Sequence, residues 1–226
     1  VDLDAICKVF AQLPNPMILG ANCADTCDAR FSYFAAEPID AFEFRTGDVE
    51  PFEKLQAKLD KYKFVAEKNN DIPDGIFIGG WAGFFAYELG RYIENIPHHA
   101  KDDIPLPLVR LDFYDKIICR DNRNDCFWLF VLAFEDEKEK VGDKMTHLER
   151  LLNDAQKIQT NKPQRTKVGE DDLKGFDCNM ERSDYCRALD KILKYIYEGD
   201  VYQINFSQRF SCQFKGSGID LYKWQN

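Results

Sequence analysis

The sequence lacks long apolar runs and an excess of positive charge, and each absence argues against a class of function. No run of eighteen uninterrupted apolar residues occurs, so the sequence predicts no membrane-spanning helix. The 30 Lys and Arg residues are outnumbered by 39 Asp and Glu residues, which gives a formal net charge of −9. Because nucleic acids and anionic membranes are bound through basic surfaces, the sequence predicts neither as a partner. A local basic pocket for a small anion is compatible with this balance.

Cysteine pairs and a secretory leader are also missing from the sequence. The eight cysteines form no CxxC pair, and only three histidines are present, so a zinc site is disfavoured. The closest two cysteines are Cys23 and Cys27. The first ten residues, VDLDAICKVF, have neither the basic start nor the apolar segment of a signal peptide, and they include no initiator Met. We therefore expect a cytoplasmic protein with reduced thiols and a trimmed N-terminus.

Aromatic residues are abundant, with eighteen Phe, ten Tyr and three Trp, which favours sheets with well-filled faces. Apolar runs predict strands, and apolar residues at helical spacing predict helices. The predicted strands lie at 16–21, twice within 30–48, from 76, at 108–119 and at 126–134, and the predicted helices follow Pro51 and cover 141–155 and 185–196. Strands and helices do not alternate regularly, so the sequence predicts an α+β fold with mostly antiparallel sheets and flanking helices.

One polar segment predicts the domain organisation. Residues 160–175, TNKPQRTKVGEDDLKG, contain Pro and Gly and show no hydrophobic period, which is typical of a linker. The segment would join an N-terminal region, 1–159, to a second region, 176–226.

Two short motifs resemble binding sites and are better explained otherwise. The glycines of GGWAGFFAYELG, 79–90, do not have the spacing of a dinucleotide or phosphate loop, so we expect them to allow close packing against the strand. His98 and His99 follow Pro97 in a polar loop, and no carboxylate or Cys at suitable spacing completes a metal site.

The segment EGDVYQINFSQRF, 198–210, predicts a strand with one polar and one apolar face. Because side chains alternate along a strand, Gln203, Asn205 and Ser207 would share the polar face. Such a face either meets water on a half-buried sheet or forms the wall of a polar cavity that binds a carboxylate-bearing ligand. The pattern leaves both interpretations open.

Three segments resemble the chorismate-utilising enzymes, in the order and at the separation typical of that family. They are LPNPMILGANCADTCDARFSYFAAEPI, GGWAGFFAYELGRYIE and MERSDYCRALDKILKYIYEGDVYQINFSQRF. YELGR and QINFSQRF are more similar to the aminodeoxychorismate synthase branch than to the anthranilate synthase branch. The resemblance covers nearly the whole chain and implies the N-terminal part of that α+β fold.

The resemblance implies an activity that this chain would share in. Ammonia from a glutamine amidotransferase partner would replace the hydroxyl of chorismate with the help of Mg²⁺, and the product would serve p-aminobenzoate and folate synthesis. Family members are about twice as long, and their catalytic and metal-binding residues lie in the C-terminal half. We therefore expect no catalytic residue and no metal ligand in this chain, which would be an N-terminal portion and inactive alone. Anthranilate synthase component I is the alternative within the family.

The resemblance also implies a tryptophan-like pocket in the N-terminal region. Arg30 and Phe31 match an Arg-Phe pair that contacts tryptophan in relatives. Ala21 stands where relatives have a serine, and Asp28 and Ala29 also depart from the pattern. Arg30 and Phe31 could equally be ordinary residues at the edge of a strand. A third hypothesis for the chain is a non-catalytic module that binds an amino acid or docks a glutaminase.

Overall fold

The computed structural model describes residues 1–20, 30–63, 65, 71–95, 97, 102–158, 175–214 and 216–225. The chain divides into two compact units, of which the first spans Val1–Asn161 and the second Lys162–Gln225. The predicted linker at 160–175 lies outside the described residues, apart from Gly175, and stays a prediction.

The first unit contains seven described strands in two antiparallel sheets. The strands are β1 (Met17–Leu19), β2 (Phe31–Ala35), β3 (Asp40–Phe44), β4 (Gly80–Phe85), β5 (Val109–Tyr114), β6 (Lys116–Asp121) and β7 (Cys126–Val131), and the helices are α1 (Leu3–Phe10), α2 (Pro51–Asp60) and α3 (Val141–Lys157). Short 3₁₀ turns cover Tyr87–Tyr92 and Lys138–Lys140. One sheet has the order β1-β2-β6-β7 and the other β3-β5-β4, which confirms the predicted α+β class with antiparallel sheets.

The chain changes sheets in the middle of the segment predicted as one strand, 108–119. The break falls at Asp115, after β5 of the three-stranded sheet and before β6 of the four-stranded sheet. Asp115 is fully buried, and Lys144 Nζ lies 2.8 Å from its carboxylate. A buried carboxylate needs such a partner, so the ion pair fixes the corner where the two strands separate. The prediction of a single strand was wrong because an apolar run does not show which sheet it joins.

Helices α1 and α3 cover one face of the four-stranded sheet. Phe10 of α1 packs against Phe34 of β2 with ring centroids 5.9 Å apart, and both residues are buried. Leu148 of α3 is also buried, and α3 contacts β6 and β7. Burying a large apolar side chain stabilises a fold by roughly 1.5–3 kcal/mol, so these contacts attach the helices firmly.

The opposite face of the same sheet, called the inner face below, meets the three-stranded sheet at one end. Met17, Ala35 and Ile117 form a buried cluster there with Tyr114 of β5. The contact is built by strands that follow one another directly in the chain, β5 and β6. The rest of the inner face carries the candidate site described below.

Gly83 allows β4 to lie against β5. A Cβ atom at this position would lie 1.9 Å from the main-chain oxygen of Arg110, far inside van der Waals contact. Only a residue without a side chain fits such a close approach. The close-packing interpretation of the GGWAGFFAYELG motif is therefore confirmed at this glycine.

The second unit contains β8 (Asp177–Cys178), α4 (Arg182–Glu198), β9 (Phe210–Ser211) and α5 (Gly218–Gln225). The predicted helix is confirmed, and Gly199 ends it in the left-handed conformation with φ of 80°. The predicted long strand was wrong, since only its last residue, Phe210, lies in a strand. Because β8 offers only two residues for pairing, the main chain of 201–209 has no neighbouring strand among the described residues to extend the ladder.

Helix α4 has an apolar stripe that the described part of the second unit leaves exposed. Leu189, Leu193 and Ile196 recur at helical spacing and are 36%, 58% and 39% exposed. The stripe confirms the predicted amphipathic pattern but not its burial within this unit. None of the described helices is both long enough and apolar enough to cross a membrane.

Candidate functional site

The free end of the inner face forms a row of aromatic side chains, called the aromatic wall below. Tyr33 of β2 lies opposite Cys119 of β6, and Cys119 lies opposite Trp128 of β7. Because side chains alternate along a strand, Phe31 and Phe130, each two residues away from one of these positions, lie on the same face. The rings of Phe31 and Tyr33 are 6.2 Å apart, and those of Trp128 and Phe130 are stacked at 6.3 Å. All four rings are partly exposed, so the wall offers apolar area to a ligand.

Arg30 closes one end of the wall through an ion pair with Asp121. Arg30 Nε and Nη2 donate to Asp121 Oδ2 at 3.1 and 2.8 Å. Asp121 also accepts from the main-chain N–H of Arg123 at 3.0 Å and from Asn124 Nδ2 at 2.9 Å. The Arg30 hydrogen bond is the main reason that the pKa of Asp121 falls to about 2, and the backbone bonds add to it. The carboxylate therefore stays ionised while completely buried.

The structure brings Arg30 and Phe31 of the predicted tryptophan-like pocket together on this wall. The guanidinium carbon of Arg30 lies 4.7 Å from the centroid of the Phe31 ring. Asp121 already neutralises the guanidinium, so Arg30 does not present an unpaired charge to a ligand carboxylate. Binding of tryptophan stays a prediction, and the departures noted at Ala21, Asp28 and Ala29 lie outside the described residues.

Three other polar groups of the inner face set its chemistry. The main-chain N–H of Phe77 donates to the hydroxyl of Tyr33 at 3.1 Å, and burial raises the pKa of that hydroxyl. Burial also raises the pKa of the Cys119 thiol to about 12, which keeps it an unreactive thiol near neutral pH. Among the described residues, the indole N–H of Trp128 is buried without a hydrogen-bond partner. Sequence reasoning missed these groups because their roles depend on strand register.

The second predicted site lies in the segment before β9. Gln203, Asn205 and Ser207 are exposed, and Gln203 Nε2 donates to Asn205 Oδ1 at 3.4 Å. The two amides therefore lie on the same side of the segment, although it is not a strand. Within the second unit the three side chains are accessible to a ligand, and their place in the wall of a substrate cavity stays a prediction.

Asn179 fastens this segment to the end of β8, a contact that sequence reasoning also missed. Its main-chain N–H donates to the main-chain oxygen of Arg209 at 3.1 Å, and its side-chain Oδ1 accepts from the N–H of Arg209 at 2.9 Å. Gln208 Nε2 donates to the main-chain oxygen of Met180 at 3.1 Å. Both contacts join residues about thirty positions apart, so no local pattern signals them.

An open groove of about 580 Å³ borders the same segment within the second unit. The ring of Tyr185 on α4 is stacked on Phe206 with centroids 5.3 Å apart, which holds the segment against the helix. The residues that line the groove are Phe176, Asp177, Cys178, Met180, Glu181, Arg182, Tyr185, Gln208 and Phe210.

The described residues do not fit a magnesium site. Among them no group of three or more His, Cys, Asp or Glu side chains is placed to hold a metal ion. His98 and His99 lie outside the described residues. No step of a reaction is therefore assigned to a metal bound by this part of the chain.

The chain is similar in sequence to aminodeoxychorismate synthases and to anthranilate synthases. It is 29% identical over 229 residues to aminodeoxychorismate synthase component 1 of Escherichia coli K12, covering 96% of this chain and 45% of that protein. It is 30% identical over 166 residues to anthranilate synthase alpha subunit 1 of Oryza sativa subsp. indica, covering 67% of this chain and 28% of that protein. The chain thus spans less than half the length of these relatives.

A solved structure shares the fold. The crystal structure of anthranilate synthase component I from Streptococcus pneumoniae TIGR4 superimposes with a TM-score of 0.60 over 90% of this chain and 46% of that one, at 20% identity. The sequence profile described as chorismate binding enzyme matches residues 21–225. That range includes both the aromatic wall and the segment that carries Gln203, Asn205 and Ser207. The resemblance found in the sequence is therefore confirmed, and the chain belongs to the family of chorismate binding enzymes.

Proposed function

We propose that this chain takes part in the amination of chorismate to 4-amino-4-deoxychorismate, a precursor of p-aminobenzoate and folate. The observation that carries the proposal is the extent of the matches. The aminodeoxychorismate synthase from Escherichia coli matches 96% of the chain, whereas the rice anthranilate synthase matches 67%. The similarity to the first relative thus includes nearly all of both units.

The role of the chain is to supply the scaffold and one wall of the substrate site. Chorismate carries carboxylates and a hydroxyl, and side-chain amides and hydroxyls donate well to carboxylates. Gln203, Asn205 and Ser207 are exposed on one tethered segment, which suits them for such contacts. The alternative is that these side chains contact only solvent and bind no ligand.

The proposed reaction would also need a partner subunit and a cofactor. A glutamine amidotransferase subunit would supply ammonia, as the name component 1 of the relative suggests. Magnesium would neutralise a substrate carboxylate, and its ligands and the general acid would come from other residues than those described here. We place the reaction in the cytoplasm.

A regulatory amino-acid site on the aromatic wall is a second candidate function. The partly exposed rings of Phe31 and Trp128 suit an aromatic amino acid such as tryptophan. This role would accompany the amination, as a site for feedback control, or stand alone in a non-catalytic module.

The identity of the reaction product tests the proposed amination of chorismate. The complete polypeptide that contains this chain is supplied with chorismate, ammonia and Mg²⁺, and the products are separated by chromatography and identified by mass spectrometry. We expect 4-amino-4-deoxychorismate, and anthranilate as the product would replace the proposal with the anthranilate synthase alternative. The 226-residue chain alone should turn over no chorismate, because it spans less than half of the relative. Turnover by the purified chain would contradict that expectation.

A further inference from the structure

We propose that Asn179 is a positioning residue for the segment that presents Gln203, Asn205 and Ser207 to chorismate. The inference rests on the proposed function, because it assigns Asn179 a role in holding that substrate-binding segment. The contacts between Asn179 and Arg209 are called the Asn179 clamp below. Asn179 itself need not touch the substrate.

The clamp replaces one bond of a regular ladder by a side-chain bond. β8 and β9 pair Asp177 with Ser211 and Cys178 with Phe210, so the next pair along the ladder would be Asn179 with Arg209. Asn179 N–H bonds to Arg209 as a main-chain ladder requires, at 3.1 Å. The return bond, however, runs from Arg209 N–H to the Asn179 side chain at 2.9 Å. The ladder therefore ends here, and the Asn179 amide sets the direction in which residues 201–208 leave it.

Two further contacts hold the segment in place next to the clamp. Gln208 is bonded to the main chain of Met180, and Phe206 is stacked on Tyr185. An extended chain advances about 3.3 Å per residue, so Ser207 lies only about 7 Å along the chain from the clamped Arg209. A clamp this close restricts where the polar side chains can be placed.

We expect the clamp to add little to the stability of the fold. β8 and β9 have two residues each, and both strands are exposed. Loss of the Asn179 acceptor should therefore leave the second unit folded while freeing the segment. This separates a positioning role from a merely structural one.

The test compares Asn179→Leu, which removes the acceptor, with Asn179→Asp, which keeps it, and with Asn153→Leu, a control at an exposed position on α3. In the 226-residue chain, NMR measures hydrogen exchange of the Arg209 amide. We expect it to be roughly 3- to 10-fold faster in Asn179→Leu and unchanged in the other two variants. Equal exchange in all variants would show that the clamp does not form, whatever reaction the enzyme catalyses.

The second measurement uses the complete polypeptide. We expect KM for chorismate to rise about threefold or more in Asn179→Leu at an unchanged melting temperature, with Asn179→Asp close to the wild type. Faster exchange without a change in KM or kcat per folded molecule would overturn the positioning role. A wild-type polypeptide that does not use chorismate would refute the proposed function and this role with it, while the exchange result would still report on the clamp.

Discussion

Arg30 and Asp121 are 91 positions apart in the sequence, yet the guanidinium donates two hydrogen bonds to one oxygen of the carboxylate. The pair joins the residue before β2 to the last residue of β6, across the ladder that places Phe31 opposite Asp121. Asp121 is fully buried, whereas the Arg30 side chain is 31% exposed. Because the buried carboxylate of Asp121 has no access to water, it needs the Arg30 guanidinium as its partner, and this ion pair fixes the end of the aromatic wall.

Replacement of Asp121 by Asn should destabilise the first unit by roughly 1.5–3 kcal/mol, the usual contribution of a hydrogen bond to a charged group. Urea unfolding of the two proteins would measure the difference, with an unchanged m value. Asp125→Asn is the matched control, because Asp125 pairs with Arg120 but is 81% exposed. Exposed ion pairs contribute at most about 1 kcal/mol, so a control as damaging as the test variant would contradict the argument.

The same ion pair predicts acid sensitivity. The pKa of Asp121 falls from its ordinary 3.8 to about 2 in the folded protein, so the unfolded chain binds the proton more readily. The resulting stability is fully present above about pH 4 and is lost as the pH falls towards 2. The difference in unfolding free energy between wild type and Asp121→Asn should be constant from pH 5 to 7 and shrink below pH 4. A difference that grows on acidification would refute this assignment.

Gly83→Ala should weaken the pairing of β4 with β5. The added Cβ atom would meet the main-chain oxygen of Arg110 at 1.9 Å, and a backbone contact cannot rotate away. We expect a loss of about 1–3 kcal/mol, as for other overpacked positions, and a lower melting temperature. Gly142→Ala provides the control, because nothing lies within 4 Å of its Cβ position on α3. That variant should be neutral or more stable by up to about 1 kcal/mol.

Gln203→Leu tests whether the polar segment binds substrate. If the amide bonds to a charged group of chorismate, its loss should lower kcat/KM of the complete polypeptide on the order of ten- to a hundredfold. Because Gln203 is exposed, the melting temperature should not change. Gln156→Leu, at an exposed position on α3, controls for the added apolar side chain. Unchanged kinetics per folded molecule would mean that the segment merely meets water, and a lower melting temperature would indicate a structural role.

An exposed sheet edge predicts self-association of the isolated chain. Among the described strands, β4 has an open edge, since β5 is its one neighbour in the sheet order. Its sequence GWAGFF has no charge or proline, and Phe84 and Phe85 are 42% and 56% exposed. Such edges pair with other chains, so the isolated chain should self-associate, and Phe84→Lys should reduce this in sedimentation velocity. A monomeric wild type would contradict the expectation.

The sequence predicted the helix ends that depend only on neighbouring residues. Pro51 begins α2 and Gly199 ends α4, because proline and glycine restrict or free the backbone wherever they occur. The change of sheet at Asp115 and the Asn179 clamp could not be predicted, because each depends on residues far away in the chain. The polar alternation of 201–209 predicted a strand, but a strand also needs a neighbour, and β8 is too short to be one.

The order of the four-stranded sheet has a consequence for how the polypeptide acquires its structure during synthesis. β1 and β2 leave the ribosome before β6, but β2 completes its pairing only with β6, whose Asp121 follows Phe31 by some ninety residues. A two-stranded ribbon is marginally stable in water, so this pair waits unfinished while the intervening chain is made. Pairing between such distant segments is slow, and the waiting strands are open to misassembly. A chaperone that shields residues 17–35 during translation should therefore raise the yield of folded protein more than one that acts on the finished chain.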